Sequence, residues 1–344
     1  MGNTAGNFAF EIENGNSVYP GANLKGRLIL DVRREITADA IDLHFIGVED
    51  TSITRGESDV HGRAVIHSSV VSLKTFAGGS VTEGQYSFPF EFSIPQGLPK
   101  SASGGSWRIS YHCVAMLSRG GTLAENVKNS CVVIMNEEPC RSLPTKSTLF
   151  GPTTSKVTFM CINPCGTMTF GGIVNSTSLG TNEKLRINFE ICNESTSRIK
   201  AVNISITRYV TIRTQSDAQC IVSTVSRRRV CVAHMVGTNP VRKDGDGDVD
   251  GVDDHSAILK QINEGKYLWG VYVPIDMIKD SSYCGKLINI RYELTVSVRT
   301  TFGTTNSSIK IPMTFAVSVP KVVVVPAAVL TAFETPKIPP NDLK

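Results

Sequence analysis

The chain has 344 residues, 41% of them hydrophobic and 19% charged, with a formal net charge of +4. These proportions are ordinary for a folded protein, and the length suffices for two domains with separate cores. The small, dispersed positive charge gives no argument for nucleic acid. No run reaches the ~18 apolar residues of a membrane-spanning helix; the longest, VVVVPAAVL at 322–330, is interrupted by Pro326.

In chain order, the opening MGNTAGNFAFEIENGN lacks the basic and apolar regions of a secretory signal, so a cytoplasmic protein is expected. Gly2 stands where N-myristoylation would occur, although the usual Ser or Thr is replaced by Gly6, and a single acyl chain anchors only weakly. LKGRLILDV (24–32) and AIDLHFIGV (40–48) alternate with period two, the signature of half-buried strands. The best helix candidate in the chain is a short stretch near 65–76.

YSFPFEFSIPQGLP (86–99) sets Tyr86, Phe88, Phe90, Phe92 and Ile94 on one face and polar residues on the other. Pro89 has no N–H for a sheet ladder, which predicts an edge strand protected from further pairing. WRISYHCVAML (107–117) alternates again, and parity sends Ile109, Tyr111 and Cys113 inward with Phe88, Phe90 and Phe92. His44 and His112 fall on the polar parity and read as exposed. GGTLAENVKNS (120–130) has glycines but no GK[ST] and no following helix to hold a phosphate. A proline-bearing stretch near 145–166, with Pro144, Pro152 and Pro164, is read as a joint, giving domains at 1–150 and 151–325 and a tail at 326–344.

Beyond it, EKLRINFEI, AVNISITRYVTI and KLINIRYELTVSV alternate like the first half and place Ile187, Phe189, Ile290, Tyr292 and Leu294 in a second core. The halves repeat each other. Leu28, Leu30 and Val32 align with Ile187, Phe189 and Ile191; Ile41, Leu43 and Phe45 with Val202, Ile204 and Ile206; Ile109 and Tyr111 with Ile290 and Tyr292. Many short strands without sustained helical period make this an all-β chain, and the repeat makes it two tandem β-sandwiches of immunoglobulin-like type.

Chemistry-bearing motifs are few. The six histidines form no HExxH and no serine sits in GxSxG, so no enzyme activity is expected. The nine cysteines are scattered, and Cys161 with Cys165 lacks zinc-ligand spacing; reduced thiols follow. Four sequons, at Asn175, Asn193, Asn203 and Asn306, read as chance without a secretory signal. Arg227, Arg228 and Arg229 cluster in SRRRV, where at least one must leave the core face of its strand; the cluster suits acidic lipid or a phosphopeptide. In RKDGDGDVDGVDDHS (242–256), Asp246, Asp248, Asp250 and Gly251 match the first positions of a calcium loop. The bidentate Glu is replaced by Ala257, leaving Asp253 or Asp254 to complete the set. Asp246, Asp248, Asp250 and Asp254 are the candidate calcium ligands, against a solvated acidic loop with no cofactor.

Taken in order, FAFEIENGNSVYPGANLKGRLIL, AIDLHFIGVEDTSIT, the FPFEFSIPQGLP strand feeding ISYHCVA, and the opening GIVNSTSLGTNEKLRINFEICNES with its Asn193–Ser195 turn resemble an arrestin, most closely the α-arrestin (arrestin-domain-containing) branch. The resemblance runs from residue 8 to about 320. It implies two arrestin-type sandwiches and a non-enzymatic adaptor or scaffold in protein transport, peripheral at membranes, that binds cytoplasmic segments of membrane proteins. It also admits a structural subunit of a large assembly, and the acidic loop admits a calcium-responsive module. The opening FAFEI lacks the lysine pair that visual and β-arrestins use for receptor phosphates, and TAFETPKIPPNDLK has no tyrosine completing a PPxY motif.

Overall fold

The structure, a computed structural model, describes residues 6–76, 79–118, 127–137, 147–159, 163–180, 183–197, 199–231, 266–300 and 307–316. Eleven strands build the first half: β1 (Gly6–Ile12), β2 (Ser17–Val18), β3 (Asn23–Val32), β4 (Ile36–Thr37), β5 (Ala40–Arg55), β6 (Ser58–Thr75), β7 (Ser80–Val81), β8 (Gly84–Ser93), β9 (Ala102–Gly104), β10 (Trp107–Ser118) and β11 (Val127–Met135). One sheet runs β1-β3-β8; the larger runs β2-β11-β10-β5-β6 with β9 added to β10. The side chains that parity sends inward meet between them. Phe90, Phe92, Ile109, Tyr111 and Cys113 are buried, while Phe88 is half-buried at the rim. Phe45 stacks on Tyr111 at a centroid distance of 5.8 Å and an interplanar angle of 10°, and meets Phe92 at 5.8 Å.

The second half repeats the plan with β12 (Thr148–Phe159), β13 (Asn163–Val174), β14 (Ser178–Gly180), β15 (Leu185–Ser195), β16 (Ile199–Arg213), β17 (Ala218–Cys231), β18 (Lys266–Val273), β19 (Tyr283–Cys284), β20 (Ile288–Thr300) and β21 (Ser307–Ala316). Its larger sheet runs β14-β21-β20-β16-β17 with β19 on β20, strand for strand the order of the first. The opposing sheet is β12-β13-β15-β18. In both large sheets the first, short strand pairs parallel with the last. Ile187, Phe189, Ile290, Tyr292 and Leu294 are buried as their parity requires. The chain is therefore all β, in two sandwiches of one design.

One expectation is corrected. Residues 65–76 are not helical: they lie in the edge strand β6, paired residue by residue with β5. Val65, Ile66, Val70 and Val71 are β-branched, and pairing along a neighbouring strand overrides weak helical spacing. In the proline-bearing stretch near 145–166, β12 and the start of β13 run as an antiparallel pair. Pro152 and Pro164 fit because the ladder is broken where they stand. Pro152 sits in the register shift between Phe150 and Thr153, and Pro164 pairs with Thr158 just past a second irregularity. β8, by contrast, is the edge strand that Pro89 predicts, with Pro89 exposed opposite Arg27 of β3.

Candidate functional site

The two sandwiches meet through the same loop of each. After β8 the chain turns through residues 94–101; after β18 it turns through 274–282. Tyr111 donates its hydroxyl to the Pro99 carbonyl at 2.7 Å, and Tyr292 donates to that of Asp280 at 2.7 Å. Ser101 N–H donates to Met135 O and the Ser101 hydroxyl accepts from Met135 N–H; Ser282 does the same with Phe315. Each loop is thus fixed by its own domain before the domains touch.

Across the joint, Lys100 Nζ donates to the Lys279 carbonyl at 2.5 Å and lies 3.7 Å from Glu137 Oε2, while Ser281 Oγ donates to Glu137 Oε1 at 2.6 Å. A cleft of about 200 Å³ opens between these groups and Gly97, Pro99 and Asp280. Farther along, Thr51 Oγ1 donates to Arg213 O at 2.6 Å, Lys286 Nζ donates to Val65 O at 2.7 Å, and Arg55 pairs with Asp217.

Glu49 is the centre of this surface. It sits just past the middle of β5 with 0% exposure. Its carboxylate accepts the Tyr283 hydroxyl on one oxygen and the Leu287 N–H, at 2.6 Å, on the other, so both donors come from the second sandwich. A buried charge without such donors would be strongly disfavoured. The Tyr283 hydroxyl is held well above its ordinary range, first by burial and then by its hydrogen bond to Glu49, so it remains a donor at any physiological pH. A Cβ at Gly285 would overlap the Glu49 carboxylate, which is why the chain turning into the joint carries glycine there.

Sequence reasoning did not single out Glu49, although the signal was present. In AIDLHFIGVED, residues 41, 43, 45, 47 and 49 share the core-facing parity, and a carboxylate on that face must find donors or a partner domain.

The outer face of the larger first sheet is unlike a solvated one. Val65, Val70, Val132 and Ile134 are exposed on it at 46%, 54%, 57% and 51%, around the half-buried Ile46, His44 and His112. The two histidines therefore depart from the expected exposed state. His112 is pushed below its ordinary value by burial first and then by Arg63, with Arg108 adding and Asp50 opposing; burial alone lowers His67, on the core side of β6. A histidine whose folded value lies below the unfolded ~6.5 binds its proton more readily unfolded, so its contribution is present above that pH and is lost as pH falls through it. The melting temperature is expected to fall between about pH 7 and pH 5.5, and His67→Gln with His112→Gln should flatten that slope. A melting temperature that rises on acidification contradicts this reading.

Arg227, Arg228 and Arg229 are all exposed on β17, the outer edge of the second large sheet. Arg227 and Arg229 pair with Ser205 and Asn203 on the solvent face; Arg228 pairs with the buried Ile204 and is the one that leaves the core face. Edge position lets it do so, because beyond β17 no strand covers that side among the described residues. No ion-pair partner for the three is found among the described residues.

Gly2 and the acidic set Asp246, Asp248, Asp250 and Asp254 lie outside the described residues. Among the described residues no group of three or more His, Cys, Asp or Glu is placed to hold a metal, and no helix is long and apolar enough to cross a membrane. The Asn193–Ser195 turn forms as its sequence implies, with Asn193 Oδ1 accepting the Ser195 N–H at 3.2 Å and hydroxyl at 2.7 Å.

Two family models match the sequence. The model described as Arrestin (or S-antigen), N-terminal domain, matches residues 8–138, and that described as Arrestin (or S-antigen), C-terminal domain, matches residues 166–320. Comparison with curated proteins gives no match.

Proposed function

This chain belongs to the arrestin family, and from that premise we propose that it is a non-enzymatic adaptor that binds cytoplasmic segments of membrane proteins in trafficking or signalling. Arrestin domains support an adaptor or scaffold in general. The observation that carries the finer reading is the exposed arginine row on β17, set on a sandwich whose partner is locked to it by the Glu49 joint. Three guanidinium groups without an ion-pair partner among the described residues, on a fixed edge, suit acidic, membrane-proximal segments, since arginine recognises carboxylate and phosphate in a bidentate manner.

The same proposal includes closest kinship to the arrestin-domain-containing branch and a place of work in the cytoplasm, peripheral at membranes. It keeps the division at 150/151 with a tail from 326, acylation of Gly2, and calcium at Asp246, Asp248, Asp250 and Asp254.

Replacing Arg227, Arg228 and Arg229 together by Glu is expected to change stability by no more than about 0.5 kcal/mol, because the side chains are exposed. Retention of membrane-protein partners should weaken about tenfold and lose its salt dependence. The test is native mass and co-purification of tagged chain from cell extract. A species of one or two copies with varied membrane proteins in small amounts supports the adaptor. A stable particle with fixed soluble subunits replaces it by a structural subunit.

A further inference from the structure

Edges of β-sheets are templates for pairing, and this protein guards most of its own. β8 carries Pro89 and β12 carries Pro152. β17 carries the three arginines. β1 is closed by β11, whose Asn129 side-chain amide donates to Phe8 O at 2.5 Å. β6 differs. It is the outermost strand of the larger first sheet and, at 18 residues, the longest among the described residues, and AVIHSSVVSL (64–73) within it has no charge and no proline. The second sandwich covers its beginning, where Lys286 reaches Val65 O and Gly62 abuts Arg213 O. From Ile66 onward nothing pairs with its outer side among the described residues.

Two further features mark this open segment. Irregularities in pairing with β5 fall at Ile66 and Leu73, so the strand between them is regular. On its core side, His67 Nε2 and Ser69 Oγ are buried and have no hydrogen-bond partner among the described residues. Two unpartnered polar atoms, two residues apart on an unguarded edge, call for a neighbour.

We propose that β6 is a homotypic pairing edge, through which two copies of this chain join antiparallel over residues 66–72 about a two-fold axis at Ser69. The segment is complementary to itself. With the axis at Ser69, the two Ser69 side chains lie directly opposite and can hydrogen-bond, which removes one orphan from each copy. Ser68 then faces the partner's Val70 on the outer side and His67 faces the partner's Val71 on the core side, so the faces match. No like charges meet, because none lies between residues 64 and 73. The result is one continuous sheet through both first sandwiches, with the exposed valines of the two outer faces side by side. Closed two-fold pairing of this kind uses up the edge and does not propagate.

The interface is small, so dimerisation is expected in the range of about 10–100 µM. Sedimentation of the full chain across that range should show average mass rising towards twice that of the monomer, and amides of 66–72 should exchange more slowly as concentration rises. Ser68→Lys with Val70→Lys sets like charges opposite each other and should leave a folded monomer, as should Ser68→Glu with Val70→Glu. Mixing the two variants should restore the dimer, which a general loss of folding cannot do. A wild-type chain that stays monomeric throughout overturns the proposal and leaves the edge to an extended segment of another protein. A dimer that survives both charge variants, or that mixing fails to restore, overturns it as well.

Discussion

Phe90→Ala is expected to cost the first sandwich about 3–5 kcal/mol, because it removes a buried aromatic and leaves a cavity between the packed sheets. Phe90 is 6% exposed; it packs against Phe92 at a centroid distance of 6.0 Å and lies over Gly26 of β3, where a Cβ would strike its ring. Tight packing on a glycine leaves little room for collapse, which favours the upper part of the range. Denaturant unfolding is the check. A loss below about 1 kcal/mol would mean that the register of β8 is displaced by one residue, since such a slip turns every side chain to the opposite face. Most domains of this size hold only about 5–15 kcal/mol in all, so the variant should lose a large share of the sandwich's stability.

The second large effect concerns the joint. Glu49→Ala is expected to cost about 2–4 kcal/mol, nearly all of it in the docking of one sandwich on the other. The opposing terms can be compared. Removing the carboxylate relieves the cost of burying a charge, but it leaves the Leu287 N–H and the Tyr283 hydroxyl without the acceptor that the fully buried carboxylate supplies. Tyr283 can turn to another partner, whereas the backbone N–H cannot, so the loss outweighs the relief. Unfolding should then separate into two transitions, one for each sandwich, where the wild-type chain is expected to show one. Gly285→Ala should give the same separation without touching Glu49, because its added methyl occupies the place of the carboxylate oxygen. A single unchanged transition in both variants would show that the clasp does not couple the domains.

Much of the fold could be read from residue order because burial imposes period two on strands. Alternation in 86–94, 107–117 and 288–298 placed the core side chains correctly, and the repeat of Tyr111 in Tyr292 extends to the hydroxyl bond each makes with its own domain's loop. The errors have physical causes. At 65–76 the signal was ambiguous because β6 lies at an edge and is bulged twice, which breaks strict alternation. Near 145–166, Pro152 and Pro164 stand at local shifts within a continuing ladder, so the strands there carry little alternation to read.

The candidate site was less legible. Its arginines stood out as a run of like charge, but that Arg228 clears the core face depends on β17 having no outer neighbour among the described residues. Glu49 carries no motif at all. Its role exists only because residues 234 and 238 positions away arrive as donors, and no local pattern encodes that meeting. Only its misplaced parity hinted at it.

The central claim, that this arrestin presents a locked pair of sandwiches to cytoplasmic segments of membrane proteins, is tested most directly by cross-linking in intact cells. A photoreactive residue would replace Arg228, which is exposed on β17. The account predicts cross-links to several integral membrane proteins, each through a cytoplasmic segment, and their loss when Arg227 and Arg229 are changed to Glu. Cross-links confined to one or two soluble proteins in fixed proportion, unchanged by those substitutions, would contradict it.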